Sequence, residues 1–122
     1  RGASANRREG GVRDDHDDEF GGPFMRRIPQ GDVHWCPGCA PIAGRSPRHA
    51  ISVDTPNAMT GARWTFDGNL DAPTFSPSIN LVGQCHYFIT GGRIFYCADS
   101  THALAGQTVP MVPIGADWEP VT

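Results

Sequence analysis

The chain has 122 residues, 39% hydrophobic and 9% aromatic, which sizes it as one small domain whose burial alone leaves a thin margin of stability. Its formal net charge of −3 offers no electrostatic footprint for nucleic acid or for an anionic membrane. No stretch approaches the roughly 18 apolar residues that cross a bilayer, and the N-terminal segment lacks the apolar centre of a signal peptide, so the expected location is cytoplasmic. In that reducing compartment, four cysteines argue for a metal ahead of disulfides.

Residues 1–24 mix charged side chains with glycines and carry only isolated apolar residues. Such a segment buries too little to offset the entropy of ordering, and it reads as a disordered tail or a non-native upstream segment, with Met25 as a candidate first residue. Residues 25–115 are expected to form the folded domain and residues 116–122 an irregular C-terminal tail.

Within residues 25–115, short β-type runs alternate with turn residues every eight to twelve positions, the spacing of a mainly β, antiparallel fold. Arg63-Trp64-Thr65-Phe66 alternates as a strand and closes on Asp67-Gly68-Asn69. Ser78-Ile79-Asn80-Leu81-Val82 is a second strand candidate. Cys85-His86-Tyr87-Phe88-Ile89-Thr90 and Arg93-Ile94-Phe95-Tyr96-Cys97 flank Gly91-Gly92, whose two glycines supply the positive φ of a tight hairpin turn. Trp64, Phe66, Phe88 and Tyr96 fall at alternating strand positions and read as core or cross-strand packing. Beyond the hairpin, Asp99 or Ser100 is placed to cap one short helix through Thr101-His102-Ala103-Leu104-Ala105, with Gly106 to end it. The segment with Pro110, Pro113 and Pro120 reads as extended or irregular.

Cys36-Pro37-Gly38-Cys39 is a zinc-ribbon-like knuckle, because its tight turn aims both thiolates at one metal and leaves backbone N–H groups facing the sulfurs. A redox role would need a βαβ pattern around residue 36, which the sequence lacks. A structural zinc takes four ligands, so two more are expected from Cys85, Cys97, His34, His49, His86 or His102. A two-residue hairpin loop sets His86 opposite Cys97 and Cys85 opposite Ala98, whereas a three-residue loop sets Cys85 opposite Cys97. Both registers keep Cys85 and Cys97 at the open end of the hairpin. The expected site is therefore Cys36, Cys39, Cys85 and Cys97, with His49 as the first substitute for Cys97 and zinc as a structural cofactor.

Cys36-Pro37-Gly38-Cys39, Trp64, Pro73-Thr74-Phe75-Ser76-Pro77-Ser78, Cys85-His86, Gly92-Arg93-Ile94 and the run from Asp99 to Thr108 together resemble the BubE-like family of small bacterial and phage proteins, formerly of unknown function. The resemblance covers about residues 30–115. It implies a hydrolase with a structural zinc: a serine-type peptidase that trims or removes a ubiquitin-like protein. The positions that carry over are Ser78 in the Pro-Ser motif and His86 at the head of the hairpin. Two positions depart from the family pattern. Ser100 stands where phage relatives often carry Cys, and the span from Cys39 to His49 is longer than the usual spacing to a histidine.

Taken from the residues, serine catalysis needs a hydroxyl, an imidazole in hydrogen-bond reach, and a group that sets the imidazole tautomer. Ser78 lies eight residues before His86, and strands 78–82 and 85–90 paired through Gly83-Gln84 would bring the two together. Asp99 is the expected orienter, His102 an alternative base, and the first N–H groups of the short helix a possible oxyanion receptor. The competing reading is a non-enzymatic zinc-ribbon-like binding module of phage or prophage origin, in which the same polar side chains serve only the fold or the metal.

Overall fold

A computed structural model describes residues 22–121. Of the expected N-terminal tail, residues 1–21 lie outside the described residues; Phe24 packs against the core, and the Pro23 carbonyl accepts the Ile114 N–H.

The described residues form eight strands in two antiparallel meanders. Strands β1 (Met25–Ile28), β2 (Gly31–Trp35) and β3 (Arg48–Ile51) form the first, in that order. The second runs β4 (Thr65–Phe66), β5 (Phe75–Leu81), β6 (Cys85–Thr90), β7 (Arg93–Tyr96) and β8 (Thr108–Pro110). The fold is thus β-rich and antiparallel throughout, as expected.

Alternation along each strand sends every second side chain inward. One core draws on both sheets through Met25, Ile51, Phe75, Ile79, Tyr87, Ile89, Ile94, Tyr96 and the cysteines 36, 39 and 85. Trp64 and Phe66 pack on its edge. Phe88 and Phe95 pair directly across β6 and β7 but face outward. The hairpin takes the two-residue loop: Thr90 pairs with Arg93, and Gly91 and Gly92 both have positive φ, 57° and 78°. That choice of register decides the fate of Cys97, as described below.

Two features of this sheet were not read from the sequence. Between Phe75 and Ile79, β5 takes four steps while β6 takes two, from Ile89 to Tyr87. Pro77 lies in this irregularity, where the ladder needs no N–H from it, and its peptide bond to Ser76 is cis. After the irregularity the register resumes with Ile79 inward opposite Tyr87 and Asn80 outward opposite His86. Ser78 therefore faces outward, diagonal to His86.

The expected short helix is absent; the described residues contain no helix. Residues 98–106 are a chain of tight turns, with Ser100 N–H on the Cys97 carbonyl and Ala105 N–H on that of His102. A single helical turn gains too little to nucleate alone, and here tertiary contacts outbid it. The Thr101 N–H donates to the Gln84 carbonyl, and the His102 side chain is drawn into the cysteine cluster. The N–H groups expected to receive an oxyanion, those of Ser100 and Thr101, are thereby occupied.

Candidate active site and metal centre

Two constellations lie on opposite faces of β6, because Cys85 points inward and its neighbour His86 points outward.

On the inner face, Cys36 and Cys39 from the loop after β2 meet Cys85 from the start of β6 and His102 from the β7–β8 connection. Their ligand atoms all lie within 4.8 Å of one another. Cys36 Sγ is 3.7 Å from Cys85 Sγ, and Cys85 Sγ is 3.2 Å from His102 Nε2. These spacings fit the donor set of a tetrahedral zinc, whose edges are about 3.7 Å for metal–sulfur bonds of about 2.3 Å. Since the first pair of ligands follows the small sheet and the second belongs to the large one, a metal here would join the two sheets. Cys36, Cys39, Cys85 and His102 could thus hold a metal ion.

The local backbone serves this cluster. The Cys39 N–H donates to Cys36 Sγ at 3.4 Å, the N–H-to-sulfur contact expected of a knuckle. The Tyr96 hydroxyl stands 3.1 Å from the same sulfur. The Cys85 thiol as hydrogen-bond donor is the main reason the Cys36 thiol is held down; burial opposes the shift and Tyr96 assists it. The Cys85 thiol is pushed up in return, chiefly by that same hydrogen bond to Cys36, with burial adding to it. Burial lowers His102, which favours the neutral ring that a metal requires. Beneath the cluster the Tyr87 hydroxyl lies between His34 Nε2 at 2.6 Å and His49 Nδ1 at 3.0 Å. Burial, reinforced by His49, depresses His34 to about 3, so both rings support the core as neutral groups.

The structure does not bring Cys97 to this cluster. Its N–H donates to the His86 carbonyl at 2.8 Å, extending the two-residue-loop register by one step and setting Cys97 beside His86 on the outer face. Cys85 and Cys97 are near each other along the hairpin but point to opposite sides of it. His102 occupies the corner expected of Cys97. His49, the expected substitute, is engaged with Tyr87.

Gly38 explains why the knuckle admits a histidine from so far along the chain. A Cβ on Gly38 would fall 2.3 to 2.6 Å from the imidazole atoms of His102, too close for any side chain. Gly38→Ala is therefore expected to drive the ring off the cluster and raise metal dissociation by about tenfold or more. Competition with a chromogenic chelator measures this, and an unchanged release rate would show that His102 does not bind. The long span after Cys39 has a local purpose as well. Its Arg45 donates to the carbonyls of Gln84 and Thr101 and to Thr101 Oγ1, tying the knuckle to the turns that carry Cys85 and His102.

On the outer face, Ser78 Oγ lies 3.0 Å from His86 Nε2, and His86 Nδ1 lies 3.1 Å from both carboxylate oxygens of Asp99. A carboxylate has no proton to give, so the shared proton sits on Nδ1, and Nε2 presents its lone pair to the Ser78 hydroxyl. The expected Ser78, His86 and Asp99 thus stand in one hydrogen-bonded line. His102, the alternative base, is committed to the inner cluster.

Ser100 is the residue whose role the sequence reading missed. Its hydroxyl donates to the His86 carbonyl at 2.9 Å and accepts the His86 N–H at 3.0 Å, so one buried side chain holds the backbone of the proposed base on both sides. Only its place beside Asp99 hinted at this. Ser100→Ala leaves the His86 N–H unpaired, while the His86 carbonyl keeps the Cys97 N–H, and is expected to cost about 1–3 kcal/mol in urea unfolding. It should also lower kcat, with Ser100→Cys falling between the two; a kcat equal to wild type in Ser100→Ala would remove the residue from the site.

The structure is thus a two-sheet antiparallel β domain with a Ser–His–Asp line on one face of its hairpin and a candidate Cys3His metal centre on the other. The family model for BubE, described as the bacterial ubiquitination-like system serine protease, matches residues 23–97, more than half of the chain. The chain belongs to this family. The matched span includes Cys36, Cys39, Ser78, Cys85 and His86, while Asp99 and His102 follow its end. No curated protein and no solved structure gives a significant match. Among the described residues, no helix is long and apolar enough to cross a membrane.

Proposed function

We propose that this chain is a serine peptidase of a bacterial ubiquitination-like system, acting on a ubiquitin-like protein, with Ser78 as nucleophile, His86 as general base and Asp99 as its orienter. The observation that carries this reading is the continuous line from Ser78 Oγ to His86 Nε2 at 3.0 Å and from His86 Nδ1 to Asp99 at 3.1 Å. Family membership supports it independently.

In this reading Ser78 Oγ attacks the scissile carbonyl as its proton passes to His86 Nε2. The tetrahedral adduct collapses, the C–N bond breaks, and His86 returns the proton to the leaving nitrogen. Water activated by the same imidazole then hydrolyses the acyl-enzyme. Asp99 holds the Nδ1 proton throughout and stabilises the imidazolium that forms. The site lies on an open sheet face, which suits a flexible chain terminus or an isopeptide linkage protruding from a folded partner.

The second part of the proposal is that Cys36, Cys39, Cys85 and His102 hold a structural zinc. Three sulfur donors and an imidazole select a borderline-soft ion over magnesium or calcium, and four protein ligands leave no position for substrate. A zinc so held would fix the knuckle against β6 and thereby steady His86 on the other side of the strand.

A fluorophosphonate probe tests the catalytic reading. Labelling of the wild type at Ser78, lost in Ser78→Ala, is the expected result. Absence of labelling in a folded, metal-loaded protein would return the chain to the binding-module reading.

A further inference from the structure

Cys97 has no part in the closed cluster or in the proposed triad. We propose that His86, Cys97 and Asp99 form a second, open metal site, through which a soft divalent cation such as Zn2+ reversibly switches off the Ser78–His86 pair. Its regulatory consequence rests on the catalytic reading above, but the binding itself does not.

One ligand atom from each of the three residues lies within 4.8 Å of the other two. The arrangement follows from the backbone: Cys97 stands opposite His86 across the hairpin, and Asp99, two residues on, returns over the same ring to meet Nδ1 at 3.1 Å. All three reach solvent, with His86 and Cys97 partly exposed and Asp99 exposed, so an ion needs no opening of the fold to arrive. Thiolate, imidazole and carboxylate together favour zinc over hard cations, and three protein donors leave a fourth position for water. This is the opposite of the inner cluster, where four donors close the shell.

The chemistry of occupancy makes metal and catalysis exclusive. An ion bound at His86 Nδ1 takes the lone pair of that atom, so the ring proton must reside on Nε2. There it points at Ser78 Oγ, and the imidazole can no longer accept the serine proton. Asp99 turns from orienting the base to ligating the ion. Cys97 binds as thiolate, so each ion taken up releases one proton, and no electron transfer is involved.

The test uses the full chain with its inner site already loaded with zinc. One added equivalent of Co2+ should produce a thiolate-to-cobalt absorption band in the wild type that Zn2+ displaces; it should be lost in Cys97→Ser and weakened in Asp99→Asn. Fluorophosphonate labelling of the wild type should slow to about a tenth at a free Zn2+ concentration ten times the dissociation constant. Cys97→Ser, whose triad is intact, should label at the wild-type rate with or without that Zn2+. No cobalt band in the wild type, or an equal band in Cys97→Ser, would overturn the site. Equal slowing of Cys97→Ser by Zn2+ would overturn the switch. If the probe never labels Ser78, the catalytic reading and the switch fall together, while the cobalt band still decides whether the ion binds.

Discussion

Replacing Ser78 with Ala is expected to lower kcat for hydrolysis of a ubiquitin-like fusion or an activated ester by roughly 10⁴-fold or more, the scale set by removing a nucleophile that no neighbour can replace. His86→Ala should give a loss of the same order, and the double variant should be hardly worse than either single one, because a nucleophile and its base act as a unit. Asp99→Asn has a smaller effect, about 10²-fold. Its side chain is 65% exposed, so water can take over part of its contact with Nδ1, whereas His86 is only 26% exposed. The amide also removes the anion that dictates the tautomer: Asn can offer an N–H to Nδ1 and leave the ring proton on Nε2. Steady-state kinetics with one substrate across the four variants decides the matter. A Ser78→Ala protein that keeps more than about a tenth of wild-type kcat would refute the assignment of the nucleophile.

If the inner cluster holds the proposed structural zinc, stripping it should unfold the domain. The apparent contribution of a structural zinc to small metallo-domains is on the order of 10 kcal/mol, about the whole stability of a chain this size. Its four candidate ligands come in pairs from the two halves of the fold, so its loss uncouples the sheets. Chelation, or Cys36→Ser, should therefore abolish the cooperative thermal transition seen by near-ultraviolet circular dichroism, and elemental analysis should find one zinc per folded chain. Cys97→Ser should keep both the zinc and the transition, whereas His102→Ala should lose or weaken them. A chain that retains its transition after complete metal removal would show that the core alone holds the fold.

These contrasts follow from a single structural fact, that neighbouring residues of β6 serve different faces. The two-residue loop sets His86 opposite Cys97, which places Cys97 on the face opposite to Cys85. Cys97 is near Cys85 along the hairpin, but the direction of the side chains keeps it from being the fourth ligand. A histidine from a turn segment could not be preferred by spacing alone, since His102 is drawn inward by contacts of Thr101 with Gln84 and Arg45 and by the space left at Gly38. The same contacts removed the expected short helix.

What the sequence determined by itself was local. The knuckle at Cys36-Pro37-Gly38-Cys39 and the Gly91-Gly92 turn follow from backbone preferences within a few residues, and the β-rich class follows from the spacing of short apolar runs. The Ser78–His86 pairing lay within reach because only one turn separates their strands. The tertiary structure alone decided which histidine joins the cysteines and that Ser100 clamps the backbone of His86. Each of these depends on contacts between segments whose meeting is set by the pairing of two whole sheets around one core, and no local preference encodes that meeting.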